Sequence, residues 1–295
     1  MDKPRENGRE DIVKCYLCDS ADYKVRDGNV RDNDKLDVLE CNECGLVFLS
    51  SVEHIDDNYY EDSNMSEDLN ISEWLNETSV DDSRRFEFVK EMIANKDIAD
   101  FGSGAGGYLM QAKKIAKSVV GIELDIKVVE HYKQNEITQV TDIESLENDK
   151  YDVITAFHVV EHLAQPAEIL QLLVSKLKKG GKLIVEVPNS DDALLTIYKN
   201  DPFSNFTYWS PHLFLYNSKT LQLLFKKVYG VEMEFVKYIQ RYSLSNHLYW
   251  LSNGKPGGHQ KWGNFIDSAE LSKAYETQLA SVGATDTVIA QYIKV

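Results

Sequence analysis

Residues 97–107 read DIADFGSGAGG, with Asp100 just ahead of glycines at Gly102, Gly104, Gly106 and Gly107. Asp97 to Phe101 has the length and apolar content of a short strand, and the glycines break it at once. A helical pattern starts at Tyr108 and continues to Lys117, and a second strand, Ser118 to Ile122, ends at the acidic Glu123. Strand, glycine turn, helix, strand, acid is the order of a nucleotide-binding half of an α/β fold. The glycines let a ligand lie against bare backbone at a helix N-terminus. Glu123 stands 21 residues after Gly102, where a carboxylate can accept hydrogen bonds from both hydroxyls of a ribose.

The whole chain has 295 residues, 43% of them hydrophobic and 11% aromatic, enough for one large α/β domain and something smaller. Met1 to Glu10 is charged and has no apolar core, so no secretory signal is expected. No apolar run approaches the ~18 residues of a membrane span. The expectation is a soluble, cytoplasmic protein. Its formal charge is -16, from 32 basic and 48 acidic residues, and such a surface repels phosphate backbones. Lys113, Lys114 and Lys117 form a local basic cluster, read as a solvated helix face rather than a nucleic-acid site.

All four cysteines precede residue 45. Cys15 and Cys18 form one C-x-x-C and Cys41 and Cys44 another, with 22 residues between them. Two such turns can each supply two thiolates to a tetrahedral zinc, with two disulfides or free thiols as the alternatives. Gly45 follows the second pair, and the stretch between carries turn residues at Asp27-Gly28-Asn29 and Asp32-Asn33-Asp34. Short strands and loops between paired cysteines are the layout of a zinc ribbon. A four-thiolate site has no open position, so the expected role is structural.

Residues 50–80 are polar and acidic with scattered aromatics, His54, Tyr59, Tyr60 and Trp74, and read as a mobile connection that folds over the main site. Asp82 to Asn95 follows as a short amphipathic helix. The expected organisation is a zinc-binding module over 1–50, a connecting segment and lid over 51–95, and an α/β domain over 96–295. That domain carries an insert at about 241–281.

A dinucleotide turn reads G-x-G-x-x-G, whereas this one reads G-x-G-x-G behind an acid. Here the chain resembles the class I methyltransferases, whose first motif has that form. The likeness continues through Val140-Thr141-Asp142-Ile143 as the end of a third strand and Tyr151 to Phe157 as a fourth. Lys178-Lys179-Gly180-Gly181 then leads into Lys182 to Val187 as a fifth, with Thr285 to Val295 as an antiparallel seventh. It covers residues 95–240 and the last strand. The resemblance implies a Rossmann-like seven-stranded, mostly parallel sheet flanked by helices, and S-adenosylmethionine as cofactor. It places Asp100, Gly102, Gly104 and Gly106 at the methionine end, Glu123 at the ribose, and Asp142 with Ile143 at the adenine. Leu124 and His158 complete the implied cofactor contacts.

His158-Val159-Val160-Glu161-His162 follows the fourth strand. As a bare pattern it matches a zinc protease motif, but that motif needs a long helix and a further acidic ligand. A divalent ion, a general base and a structural tie for the loop are the remaining uses of these side chains. Tyr208-Trp209-Ser210-Pro211-His212-Leu213-Phe214 resembles the histidine-bearing segment of nucleotide-sugar methyltransferases, some of which share an N-terminal four-cysteine module. Their glutamate and tyrosine are replaced here by Pro211 and Trp209, with Tyr208 one step off, which favours O- or N-methylation over C-methylation. His162, His212 and Tyr208 are the candidate catalytic residues.

The insert carries Arg241, Tyr242, Asn246, His247, Tyr249 and Trp250, then a Gly254-Lys255-Pro256-Gly257-Gly258-His259 run and Trp262. Aromatics stack on flat ligands and arginine suits anions, so the insert is read as a substrate wall, or otherwise as packing for the domain's edge or a dimer contact. The expected activity is methyl transfer to a hydroxyl or amine of a small-molecule acceptor, a nucleotide-linked sugar or glycan precursor. The alternatives are an RNA methyltransferase, opposed by the charge, and a non-enzymatic zinc-ribbon binding protein on a vestigial methyltransferase scaffold.

Overall fold

The computed structural model describes residues 13–55 and 70–295. The first ten residues, and Tyr59 and Tyr60 of the connecting segment, lie outside the described residues. Among the described residues eleven strands run in chain order as β1 (Tyr23–Val25), β2 (Val38–Cys41), β3 (Val47–Leu49), β4 (Asp97–Phe101), β5 (Ser118–Ile122) and β6 (Thr138–Val140). They continue as β7 (Tyr151–Phe157), β8 (Leu177–Pro188), β9 (Phe214–Leu215), β10 (Val231–Ile239) and β11 (Thr287–Lys294).

Seven of them form the main sheet in the order β10-β11-β8-β7-β4-β5-β6. β4, β5, β6, β7 and β8 pair in parallel, while β11 is antiparallel to both β8 and β10. The sheet is the Rossmann-like one expected, antiparallel last strand included. Ile154, Leu183, Ile184, Val185 and Val187 are wholly buried, because helices cover both faces of a parallel sheet. Strand order reverses at β4, so the carboxyl ends of β4 and β7 border the crevice where ligands bind in such sheets.

The helix expected from Asp82 instead begins a full eleven residues earlier, as α1 (Ile71–Ile93). Asn70 and Glu73 close a reciprocal capping box there, which satisfies two otherwise unpaired amides and fixes the start. The stretch expected to be mobile up to residue 80 is therefore helical from Ile71 onward. After the glycine turn, α2 (Gly107–Ala112) stops short of Lys117. β8 is longer than the fifth strand expected at Lys182, since its pairing with β7 already starts at Leu177.

The cysteine segment does not stand apart. β1, β2 and β3 form a second sheet, and its fourth strand is β9, contributed from beyond residue 213. Val47 pairs with Leu215 and Phe48 with Phe214. Leu46, Phe48, Leu170, Leu213 and Leu215 share one buried cluster, so the small module borrows core from the large domain. Among the described residues no helix is long and apolar enough to cross a membrane.

Candidate functional site

A cavity of about 650 Å³ lies at the carboxyl ends of β4 and β7. The turn from Gly102 to Gly107 forms one wall, and Trp74, Asp81, Asp82 and Arg85 of α1 form another. Gly102, Gly104 and Gly106 all take positive φ, at 68°, 52° and 75°, a region in which a side chain costs ~1–2 kcal/mol. The space is also closed to one, because a Cβ on Gly104 would lie 2.9 Å from the Trp74 ring.

Carboxylates crowd behind this bare backbone. Burial pushes Asp100 up to about 7, against a Thr155 hydroxyl that donates to it at 2.6 Å. Burial raises Asp82 and Glu123 as well. Glu123 accepts from the Gly104 amide at 2.7 Å and the Asp125 amide at 2.9 Å. Acids held up by desolvation gain most from a cation placed among them. A sulfonium and an ammonium are such cations, so this corner fits the methionine end of S-adenosylmethionine. Glu123 is within one hydrogen bond of the turn, but neither it nor Leu124, Asp142 and Ile143 is among the cavity-lining residues. The Asp142 carboxylate accepts from the Ser145 amide at 2.6 Å, and Ile143 is buried in the core.

His158 sits at the carboxyl end of β7 with φ 54°, a strained conformation for a side chain of that size. It lines the cavity, and Arg241 Nη1 donates to its Nε2 at 3.1 Å while its Nδ1 faces Glu161 at 3.2 Å. The segment Val160–His162 is a single 3-10 turn, which removes the protease reading of the H-x-x-E-H pattern. His162 Nδ1 donates to the Pro211 carbonyl at 3.0 Å, and its ring centroid is 4.8 Å from that of His212. His212 lines the cavity. Burial, then the neighbouring His162, lowers it to about 3, so it stays neutral and keeps a lone pair. Ligand atoms of Glu161, His162 and His212 lie within 4.8 Å of one another, a donor set that could hold a divalent cation.

Tyr208 is a correction. It is 1% exposed and its ring packs over Gly28, where it lines a second, polar cavity between the cysteine module and the main domain. The Arg31 amide donates to its carbonyl at 2.9 Å, and the cavity its side chain lines is not the one that His212 lines.

The ion pairs that hold α1 to the cavity floor were not visible in the sequence. Glu186 on β8 is wholly buried and accepts from Arg84 Nη1 at 2.8 Å, Arg84 Nη2 at 2.9 Å and Arg85 Nε at 3.0 Å. Asp81 on α1 accepts from Arg241 Nε at 3.0 Å, which ties the insert to the same helix. No periodic signal marks such pairs, since each partner looks like an ordinary surface charge on its own element.

The insert folds as helices, among them Leu244–Asn253 and Ala269–Ser281. Arg241, Tyr242, Asn246, His247, Trp250 and His259 face the cavity from it, and Phe203 and Phe206 pack on Trp250 at centroid distances of 5.2 and 5.1 Å. The four cysteine sulfurs converge at the other end of the module. Sγ of Cys15 and Cys44 are 3.4 Å apart and those of Cys18 and Cys41 3.5 Å, close to the ~3.8 Å edge of a zinc–thiolate tetrahedron with ~2.3 Å bonds.

A doubly wound sheet with an acid and a G-x-G-x-G turn at its switch point is the architecture of class I methyltransferases. The chain belongs to the methyltransferase-domain family, whose model matches residues 77–233. It is an S-adenosylmethionine-dependent methyltransferase. It is 25% identical over 186 residues to a ubiquinone biosynthesis O-methyltransferase of Hydrogenovibrio crunogenus, covering 56% of this chain and 77% of that one. A protein of the same name from Coxiella burnetii is 28% identical over 36% of this chain, which spans 50% of that protein's length. Among solved structures, a methyltransferase from Thermotoga maritima matches 76% of this chain and 96% of its own, at 18% identity and a TM-score of 0.50. One from Archaeoglobus fulgidus matches 75% and 99%, at 17% identity and a TM-score of 0.50. These two show the fold alone.

Proposed function

We propose that this chain methylates a hydroxyl, or an amine, of a small-molecule acceptor seated between the glycine turn, His212 and the aromatic wall of the insert. The single observation that supports it is the continuous cavity bordered by all three. When bound, S-adenosylmethionine supplies an electrophilic methyl group on a sulfonium. Gly102, Gly104 and Gly106 would hold it against bare backbone, Asp82 would face its positive charges with Asp100 buried behind the turn, and Glu123 would hold the ribose. His212 would accept the hydrogen bond of the acceptor hydroxyl with its neutral lone pair, aligning the oxygen and taking the proton's partial charge as the methyl arrives. Phe203, Phe206 and Trp250 would exclude water.

Aromatic faces suit a sugar as well as a flat ring, but the charge of the cavity speaks against a nucleotide diphosphate. Both arginines in the wall are already engaged, Arg85 with Glu186 and Arg241 with Asp81. Asp192 and Asp286 line it too, and burial raises both. An uncharged or cationic acceptor with an aromatic face is favoured over the nucleotide-linked sugar expected from the sequence. The partial similarity to proteins named as O-methyltransferases supports oxygen as the acceptor atom. Turnover against matched phenols, amines and nucleotide-sugars, read as demethylated cofactor by mass spectrometry, tests this. Activity confined to nucleotide-sugars would reverse the acceptor class, and no activity with any hydroxyl or amine would sink the reading.

We further propose that Cys15, Cys18, Cys41 and Cys44 hold a structural zinc. Chelation is expected to raise amide hydrogen exchange across residues 13–50 and to leave S-adenosylmethionine affinity unchanged by calorimetry. Identical exchange with and without chelator would remove the metal from the account.

A further inference from the structure

We propose that the cysteine module is a positioning element for methyl transfer: Asp32 and Arg31, in the loop between its cysteine pairs, set the segment Tyr208–Leu213 so that His212 faces the glycine turn. This rests on the reading of His212 as the group that meets the acceptor.

The segment between the helix Asp201–Thr207 and β9 has no regular structure of its own, and its backbone groups need partners. Residues 31–54 provide partners for four of them, the Tyr208, Ser210 and Leu213 carbonyls and the Ser210 amide. Both carboxylate oxygens of Asp32 accept from Ser210, from its amide at 3.0 Å and its hydroxyl at 2.7 Å. The Arg31 amide donates to the Tyr208 carbonyl at 2.9 Å, and the Leu49 amide to the Leu213 carbonyl at 3.1 Å. His54 Nε2 lies 2.7 Å from the Ser210 carbonyl. The Arg31 guanidinium stands 4.4 Å from the Trp209 ring centroid, a cation–π contact.

What is clamped leads directly to the site. His212 is two residues past Ser210, and the Pro211 carbonyl between them orients His162. The Trp209 ring meets that of His212 edge-on at 5.4 Å. Asp32 itself sits in a loop without strand or helix between β1 and β2, anchored by buried Val30 and Leu36. Val30 and Leu36 share one buried cluster with Cys15, Cys41 and Cys44, and from Asp32 the hydrogen bonds lead through Ser210 to the segment that carries His212. This path bypasses the glycine turn, which is built by β4 and α2.

Asp32→Ala leaves two donors of a residue only 6% exposed without partners, a cost the segment escapes by shifting. Displacement of a reacting group by about 1 Å lowers turnover by up to ~100-fold. In the full-length protein, Asp32→Ala is expected to lower kcat by ~10- to 100-fold, with unchanged cofactor affinity by calorimetry. Hydrogen exchange should rise in 208–214 and not in 98–112. Asp32→Asn keeps an acceptor for the Ser210 amide and is expected to restore most of both readouts. Wild-type kcat in Asp32→Ala, unchanged exchange in 208–214, or failure of Asp32→Asn to rescue would each overturn the proposal. The exchange measurement reports on the clamp independently of chemistry. If it rises as expected while His212→Ala is fully active, the reading of His212 is what fails, and the proposal falls with it.

Discussion

His212→Ala is expected to lower kcat by on the order of 100-fold, the usual contribution of a side chain that handles the proton of the reacting group. S-adenosylmethionine affinity should stay within about a factor of two, since the turn and the carboxylates behind it are untouched. The side chain is half-buried and lines the cavity, and its shielded Nδ1 has no hydrogen-bond partner among the described residues. A histidine serving only as packing would normally have that atom satisfied. Stopped turnover in the presence of acceptor, together with calorimetry on the same preparation, gives the test. Wild-type kcat would return His212 to a structural role.

Glu186→Ala carries the largest expected effect on stability. The carboxylate is wholly buried and takes hydrogen bonds from Arg84 and Arg85, both on α1. Taking away one partner of a buried ion pair leaves charge without compensation and typically costs ~3–5 kcal/mol. In a chain of this size that is a fall in Tm of about 10 °C. The loss should also loosen α1 over the cavity and weaken cofactor binding. Burial alone would raise the Glu186 carboxyl, but the arginines and His158 hold it well below its ordinary value of 4.5. A carboxylate lowered in the folded state contributes stability in full above its unfolded pKa, and that contribution is lost as pH falls through the folded value. Wild type should therefore lose stability progressively below about pH 4.5, and Glu186→Ala should show a flatter dependence there. Equal Tm values for the two proteins at pH 7 would show that α1 is held by other contacts.

Much of the frame could be read along the chain. β4, β5 and β7 occupy the limits expected for them, Asp97–Phe101, Ser118–Ile122 and Tyr151–Phe157. These are local patterns, each set by the period of a strand. The start of α1 was missed because its first turns are polar and acidic, with only Asp82, Val89 and Ile93 buried. Its helical signal lies in the Asn70–Glu73 cap rather than in an apolar stripe. Tyr208 was misplaced for a related reason. Outside a helix or strand, spacing carries no rule for where a side chain points.

What the amino-acid order determined by itself is whatever is decided within a few residues. The glycines at 102, 104 and 106 adopt backbone that other residues resist, and the paired cysteines at 15, 18, 41 and 44 sit on turns short enough to converge. Tertiary structure alone decided the rest: that Glu186 meets arginines 101 and 102 positions away, and that Asp32 meets Ser210 across 178. It also made β9 the fourth strand of the cysteine module's sheet. A buried charge or an irregular loop is stable only when its partners arrive, and those partners are chosen by how the sheets stack, not by any period in the chain.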